Sequence, residues 1–119
     1  MNKKLIVVTG GTKGIGRAVI EGFARAGKFD IATCARNDHD LLKLKEEVEI
    51  RYPGTQVFVF KADLAIKEDC ESFIEFVLFQ RRNIEILVNN TGLFIPGAVH
   101  DEPEGSLEKM METNLYSAY

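Results

Sequence analysis

Apolar residues fall along this chain in two alternating rhythms. Four short runs are mainly apolar: Leu5 to Val8, which is mostly β-branched, Phe29 to Ala35, Gln56 to Ala62, and Ile84 to Val88. Runs of that length, bounded by turn residues, predict buried strands. Between them the apolar positions spread out to helical spacing. Ile15, Ala18, Val19, Gly22, Phe23 and Ala26 predict a first helix, with Gly27 as its C-cap. Asp38 reads as the N-cap of a second helix running through Tyr52. Leu41, Leu44 and Val48 form its buried face, and Pro53-Gly54 stops it. Lys67 to Arg82 reads as a third, with Cys70, Phe73, Ile74, Val77 and Leu78 facing inward. A fourth starts between Asp101 and Ser106, after a loop of about a dozen residues, a length that often carries function. The β-α-β-α-β-α-β-α order predicts a parallel sheet with helices on both faces. In such sheets ligands bind outside the carboxyl ends of the strands, where the strand order reverses.

The first strand runs into Thr9-Gly10-Gly11-Thr12-Lys13-Gly14-Ile15-Gly16, and that turn opens the first helix. Glycine permits the backbone angles of a sharp turn and a close approach of main chain to ligand. The free amides and positive dipole end of the new helix offer a phosphate site. A tight packing turn would need the same residue types. A nucleoside-triphosphate loop would need Lys and Ser/Thr where Arg17-Ala18 stand, so no hydroxyl is present to hold magnesium. A dinucleotide pyrophosphate site remains, although the strict Gly-x-Gly-x-x-Gly pattern is absent.

Composition narrows the classes further. The chain has 119 residues, enough for one domain at most. With 45% hydrophobic residues, 28% charged and a net charge of −3, nothing suggests a nucleic-acid or membrane surface. The apolar run after Lys3-Lys4 is too short for a signal peptide, so a cytoplasmic location is expected. Cys34 and Cys70 read as buried free thiols, and no Cys/His cluster predicts a metal. His39 and His100 have no partner constellation. Asp101, Glu102 and Glu104 read as a solvated helix start.

The Thr-Gly-x-x-x-Gly-x-Gly spacing of residues 9–16 resembles the short-chain dehydrogenase/reductase family. Three further motifs come in that family's order: Asp63-Leu64, Asn89-Asn90-Thr91-Gly92 and Asn114-Leu115. The resemblance covers essentially the whole chain and implies a Rossmann-type sheet in the order 3-2-1-4. It implies that residues 1–119 form the N-terminal part of an NADP(H)-binding domain. Gly10, Gly11, Thr12, Lys13, Gly14, Ile15 and Gly16 would then cradle the cofactor. Asp63, assisted by the Leu64 backbone, would meet the adenine amino group. Asn90, Thr91 and Gly92 would run beside the ribose, with Thr91 in place of the usual alanine, and Asn89 would steady the sheet. Asn114 lies on a predicted apolar stripe of Leu107, Met110, Met111, Leu115 and Ala118, where an unpaired amide costs about 1–3 kcal/mol. The resemblance makes it the holder of a water in the catalytic proton relay.

Arg36 decides which cofactor to expect. It stands 20 residues past Gly16, at the end of the second strand, where a free ribose 2′-hydroxyl would call for Asp or Glu. An arginine cannot accept from that hydroxyl, but it suits a 2′-phosphate and can stack on adenine. Lys13 could reach the same phosphate, and no carboxylate follows before Asp38. NADP(H) is therefore favoured over NAD(H). The resemblance implies hydride transfer between NADP(H) and a carbonyl/alcohol substrate of the 3-oxoacyl or ketone type.

The family's Ser and its Tyr-x-x-x-Lys pair, which supplies the proton donor, do not occur here; Tyr116 and Tyr119 have no lysine at that spacing. The fourth strand would also lack its next neighbour. The expectation is the N-terminal portion of an enzyme of about 230–260 residues, a length compatible with one α/β domain. It would work as a homo-oligomer on a small-molecule substrate. A chain ending at Tyr119 would be poorly soluble and inactive. A non-catalytic nucleotide-binding protein and an inert fragment remain as alternatives.

Overall fold

The computed structural model describes residues 3–90. Thr91, Gly92, Asn114 and the fourth helix lie outside those residues. Seven elements alternate: β1 (Lys4–Thr9), α1 (Gly14–Ala26), β2 (Phe29–Ala35), α2 (Asp38–Arg51), β3 (Val57–Lys61), α3 (Lys67–Phe79) and β4 (Ile84–Asn89). The strands form one sheet in the order β3-β2-β1-β4, and every pairing is parallel. This is the expected Rossmann-like order.

Chirality places the helices. From β1 through β2 to β3 the chain steps in one direction, so right-handed crossovers put α1 and α2 on one face. From β3 it jumps back past β1 to β4, and the same handedness puts α3 on the other face. The side chains of β1 alternate accordingly. Ile6 and Val8 pack with Ile20, Ala24, Leu44 and Val48. Leu5 and Val7 pack with Phe73, Ile74 and Val77. Each β1 side chain from Leu5 to Thr9 is buried, as a strand covered on both faces requires. Truncating the fully buried Phe73 to alanine would cost about 3–5 kcal/mol.

Three details depart from the sequence expectation. First, α1 buries Gly16, Ile20 and Ala24, with Val19 and Phe23 at the margin, while Ile15 is 74% exposed. Gly and Ala fit either side of a helix, so they shift the apparent stripe without fixing it. Second, α2 is capped by Asn37, whose Oδ1 accepts the Asp40 N–H at 3.1 Å. Asp38 is already inside the helix. Third, α3 ends at Phe79, three residues before Arg82, and Leu78 is 37% exposed. The Gln80 and Arg81 amides bond back to Val77 and Leu78, and Arg81 takes a left-handed φ of 55°.

That turn delivers Arg82 beneath the amino ends of the strands. Its guanidinium donates to Asp30 Oδ2, to the Lys3 carbonyl (3.3 Å) and to Gln56 Oε1 (2.9 Å), and lies 5.2 Å from the centre of the Phe58 ring. Asp30 Oδ1 accepts the Gln56 N–H at 2.8 Å. Both charged side chains are nearly out of water, at 9% and 5% exposure.

Candidate functional site

The opposite end of the sheet, where the strands finish, opens into a cleft of about 470 Å³. Gly10, Thr12 and Lys13 form one wall, and Ala62, Asp63, Leu64 and Ala65 another. Cys34 to Asn37 and Asp40 complete it. The cleft lies beside β1, the strand from which the chain steps out to β2 and later returns to β4. That reversal is where open α/β sheets bind ligands.

Two buried threonines shape the glycine-rich turn. Thr33, in the middle of β2, donates its hydroxyl to the Val8 carbonyl and accepts the Gly11 N–H at 3.2 Å. Thr9, the last residue of β1, donates to Asn89 Oδ1 at 3.0 Å and accepts the Asn90 N–H at 2.9 Å. Asn90 in turn donates its Nδ2 to the Gly10 carbonyl at 3.3 Å. The turn is thus tied to β2 on one side and to β4 on the other. Gly10 takes a φ of +65°, open to glycine at little cost. Gly16 packs so closely that a Cβ would lie 2.5 Å from the Gly10 carbonyl and 2.7 Å from Asn90 Nδ2.

The start of α1 is left electrostatically open. Its N-cap is Lys13, with no side-chain cap and no acidic residue in the first turn. The helix therefore presents uncompensated amides and the positive end of its dipole. The start of α3 is treated differently. There Asp69 reaches back to accept the Asp63 N–H at 2.7 Å, and Asp63 Oδ1 accepts the Ala65 N–H at 3.0 Å. Asp63 is therefore a turn residue as well as a wall of the cleft.

Arg36 is exposed in the cleft and forms no ion pair among the described residues. Lys13 is 82% exposed and lies 3.8 Å from the Asp40 carboxylate. Cys34 at the floor is buried, and burial pushes its thiol up to about 12 from 9.0, opposed by the Gly10 amide and reinforced by Cys70. Among the described residues no group of His, Cys, Asp and Glu is placed to hold a metal ion. No helix among them is long and apolar enough to cross a membrane.

The sequence-predicted residues Gly10, Thr12, Lys13, Arg36, Asp63 and Leu64 all line this cleft. Gly11, Gly16 and Asn90 lie behind its wall as supports. Gly14 and Ile15 are exposed at the helix start. Sequence reasoning missed Asn37, Asp40 and Thr33. The signal for the first two was present as an Asn-x-x-Asp at a strand-to-helix boundary. For Thr33 it was a hydroxyl in the centre of an otherwise apolar strand.

The family model of the short chain dehydrogenases matches residues 4–119. The chain belongs to this family. A tropinone reductase homologue of Arabidopsis thaliana is 34% identical over all of this chain and 44% of its own length. L-sorbose reductase from Gluconobacter frateurii, solved with NADPH and L-sorbose, matches with a TM-score of 0.72 and 25% identity. That match covers 99% of this chain and 46% of the reductase. An NADH-dependent reductase solved with NAD shares the fold at a TM-score of 0.67 and 22% identity, over 98% of this chain and 50% of its own. The chain thus spans less than half the length of the short-chain dehydrogenase relatives named first.

Proposed function

We propose that residues 1–119 are the N-terminal, cofactor-binding part of an NADP(H)-dependent oxidoreductase. It acts on a small ketone or 3-oxoacyl substrate and the corresponding alcohol. The nicotinamide, when bound, supplies or accepts hydride. This chain's own residues bind and orient. The open start of α1 faces the pyrophosphate, the crowded Gly16 lets the main chain approach it, and Asp63 takes the adenine amino group. Asn90, Thr91 and Gly92 flank the ribose, and Asn114 holds the water of the proton relay. The proton donor and its lysine are supplied by sequence further on. The working enzyme is a cytoplasmic homo-oligomer.

One observation carries the choice of cofactor: an unpaired Arg36 at the end of β2, with Lys13 across the cleft. The fold alone does not choose, since it accompanies NADPH in one relative and NAD in another. The tropinone and sorbose reductase likenesses support the carbonyl reading. The test is a fluorescence titration of the full-length protein with NADPH and NADH, followed by a ketone screen. NADPH should bind more tightly, and Arg36→Ala should weaken it about tenfold or more, the worth of a charge-assisted contact to phosphate. NADH binding should hardly change. Equal affinities would overturn the cofactor assignment. Tight binding with no turnover on any carbonyl would put the non-catalytic reading first.

A further inference from the structure

We infer that Asp40 sets how strongly the cleft discriminates between the phosphorylated and unphosphorylated cofactor, by competing for Lys13. The inference rests on the NADP(H) reading above. Four charged side chains line the cleft: Lys13, Arg36, Asp40 and Asp63. Asp63 is engaged with its own turn through the Ala65 amide. Arg36 is unpaired among the described residues, so the Lys13–Asp40 contact at 3.8 Å is the one charge pair across the cleft there.

The two partners differ in freedom. Asp40 is held at the start of α2, where its amide is bonded by Asn37 Oδ1, and its side chain is 32% exposed. Lys13 is 82% exposed on a flexible stem. When a charge enters the cleft, the lysine is therefore the group that moves. A 2′-phosphate dianion must draw Lys13 away from Asp40 before the lysine can serve it. A 2′-hydroxyl brings no charge and leaves the pair intact. Asp40 thus subtracts from the affinity for the phosphorylated nucleotide and hardly touches the other. It is a specificity residue that acts through Lys13.

The experiment measures Kd for NADPH and NADH on the full-length protein carrying Asp40→Asn, Asp40→Glu, Lys13→Met, or Asp40→Asn with Lys13→Met. Asp40→Asn should tighten NADPH by about two- to fivefold, the range of an exposed ion pair, with NADH unchanged. Asp40→Glu, which keeps the charge, should give no gain. In the Lys13→Met background most of the gain should vanish. Salt should shrink it as well, because exposed charges are screened within about 10 Å at 0.1 M. No NADPH gain in a folded Asp40→Asn protein overturns the inference. So does an equal gain with and without Lys13, which would mean simple repulsion without competition. Failure of the underlying cofactor reading looks different. The unsubstituted protein would then bind NADH as tightly as NADPH, or bind neither, and both conclusions would fall.

Discussion

The two ends of this sheet are built from similar residues and used in opposite ways. At the amino ends of the strands, Arg82, Asp30, Gln56 and the Lys3 carbonyl satisfy one another, and the Arg82–Asp30 pair is almost closed to water. At the carboxyl ends, Arg36 is unpaired among the described residues, the start of α1 has no cap, and Lys13 is held by one loose contact. Polar groups that complete each other hold strands together. Polar groups left incomplete by a well-supported backbone define a place for something else. The threonine and asparagine bonds beneath the turn show that this openness is not looseness, since Thr9 and Thr33 are fully buried and bonded.

The sharpest way to break this contrast is to open the closed end. Arg82→Met leaves the Asp30 carboxylate buried without its cation and should cost about 3–5 kcal/mol in urea unfolding of the full-length protein. Adding Asp30→Asn should recover much of that loss. Nucleotide affinity per folded molecule should be unchanged, and a large fall in it would show that the two ends are not independent.

The next largest effect should come from the support under the open end. Thr33→Val conserves shape but leaves the Gly11 amide without its acceptor, at a cost of about 1–3 kcal/mol. Hydrogen exchange at the Gly11 amide should speed up, and nucleotide binding should weaken. Unaltered exchange would mean that the turn holds itself.

The effect that vanishes at neutral pH tests whether water reaches the cleft floor. Burial pushes the Cys34 thiol up to about 12 in the folded protein, from the ordinary 9.0. Below pH 9.0 both states keep the proton, and the stabilising contribution is fully present. As pH rises from 9.0 towards about 12, only the unfolded chain gives up its proton, so stability falls by roughly 1 kcal/mol per pH unit. Cys34→Ala should show a shallower fall over that window. Identical slopes would mean that water reaches the thiol.

The strand pattern and the order of elements were legible in the sequence because consecutive apolar residues on covered strands leave little choice. The glycine turn was legible because strand, spaced glycines and helix occur together. Closed networks were not. Asp30 sits inside an apolar run with no local sign that Arg82, 52 residues away, completes it. Its partner was absorbed into α3 for the same reason, since helical spacing carries no mark of a left-handed residue at Arg81. Asp40 was hidden too. A carboxylate five residues past the end of β2 looks remote until the helix start folds it back toward Lys13.

The Asn90 amide bonds a hydroxyl 81 residues earlier in the chain. A ribosome adding 5–20 residues per second reaches Asn90 roughly 4–16 s after Thr9. Until then the first strand and its glycine turn exist with one of their two anchors missing. The glycine turn, encoded first, therefore gains its second anchor only when the fourth strand arrives.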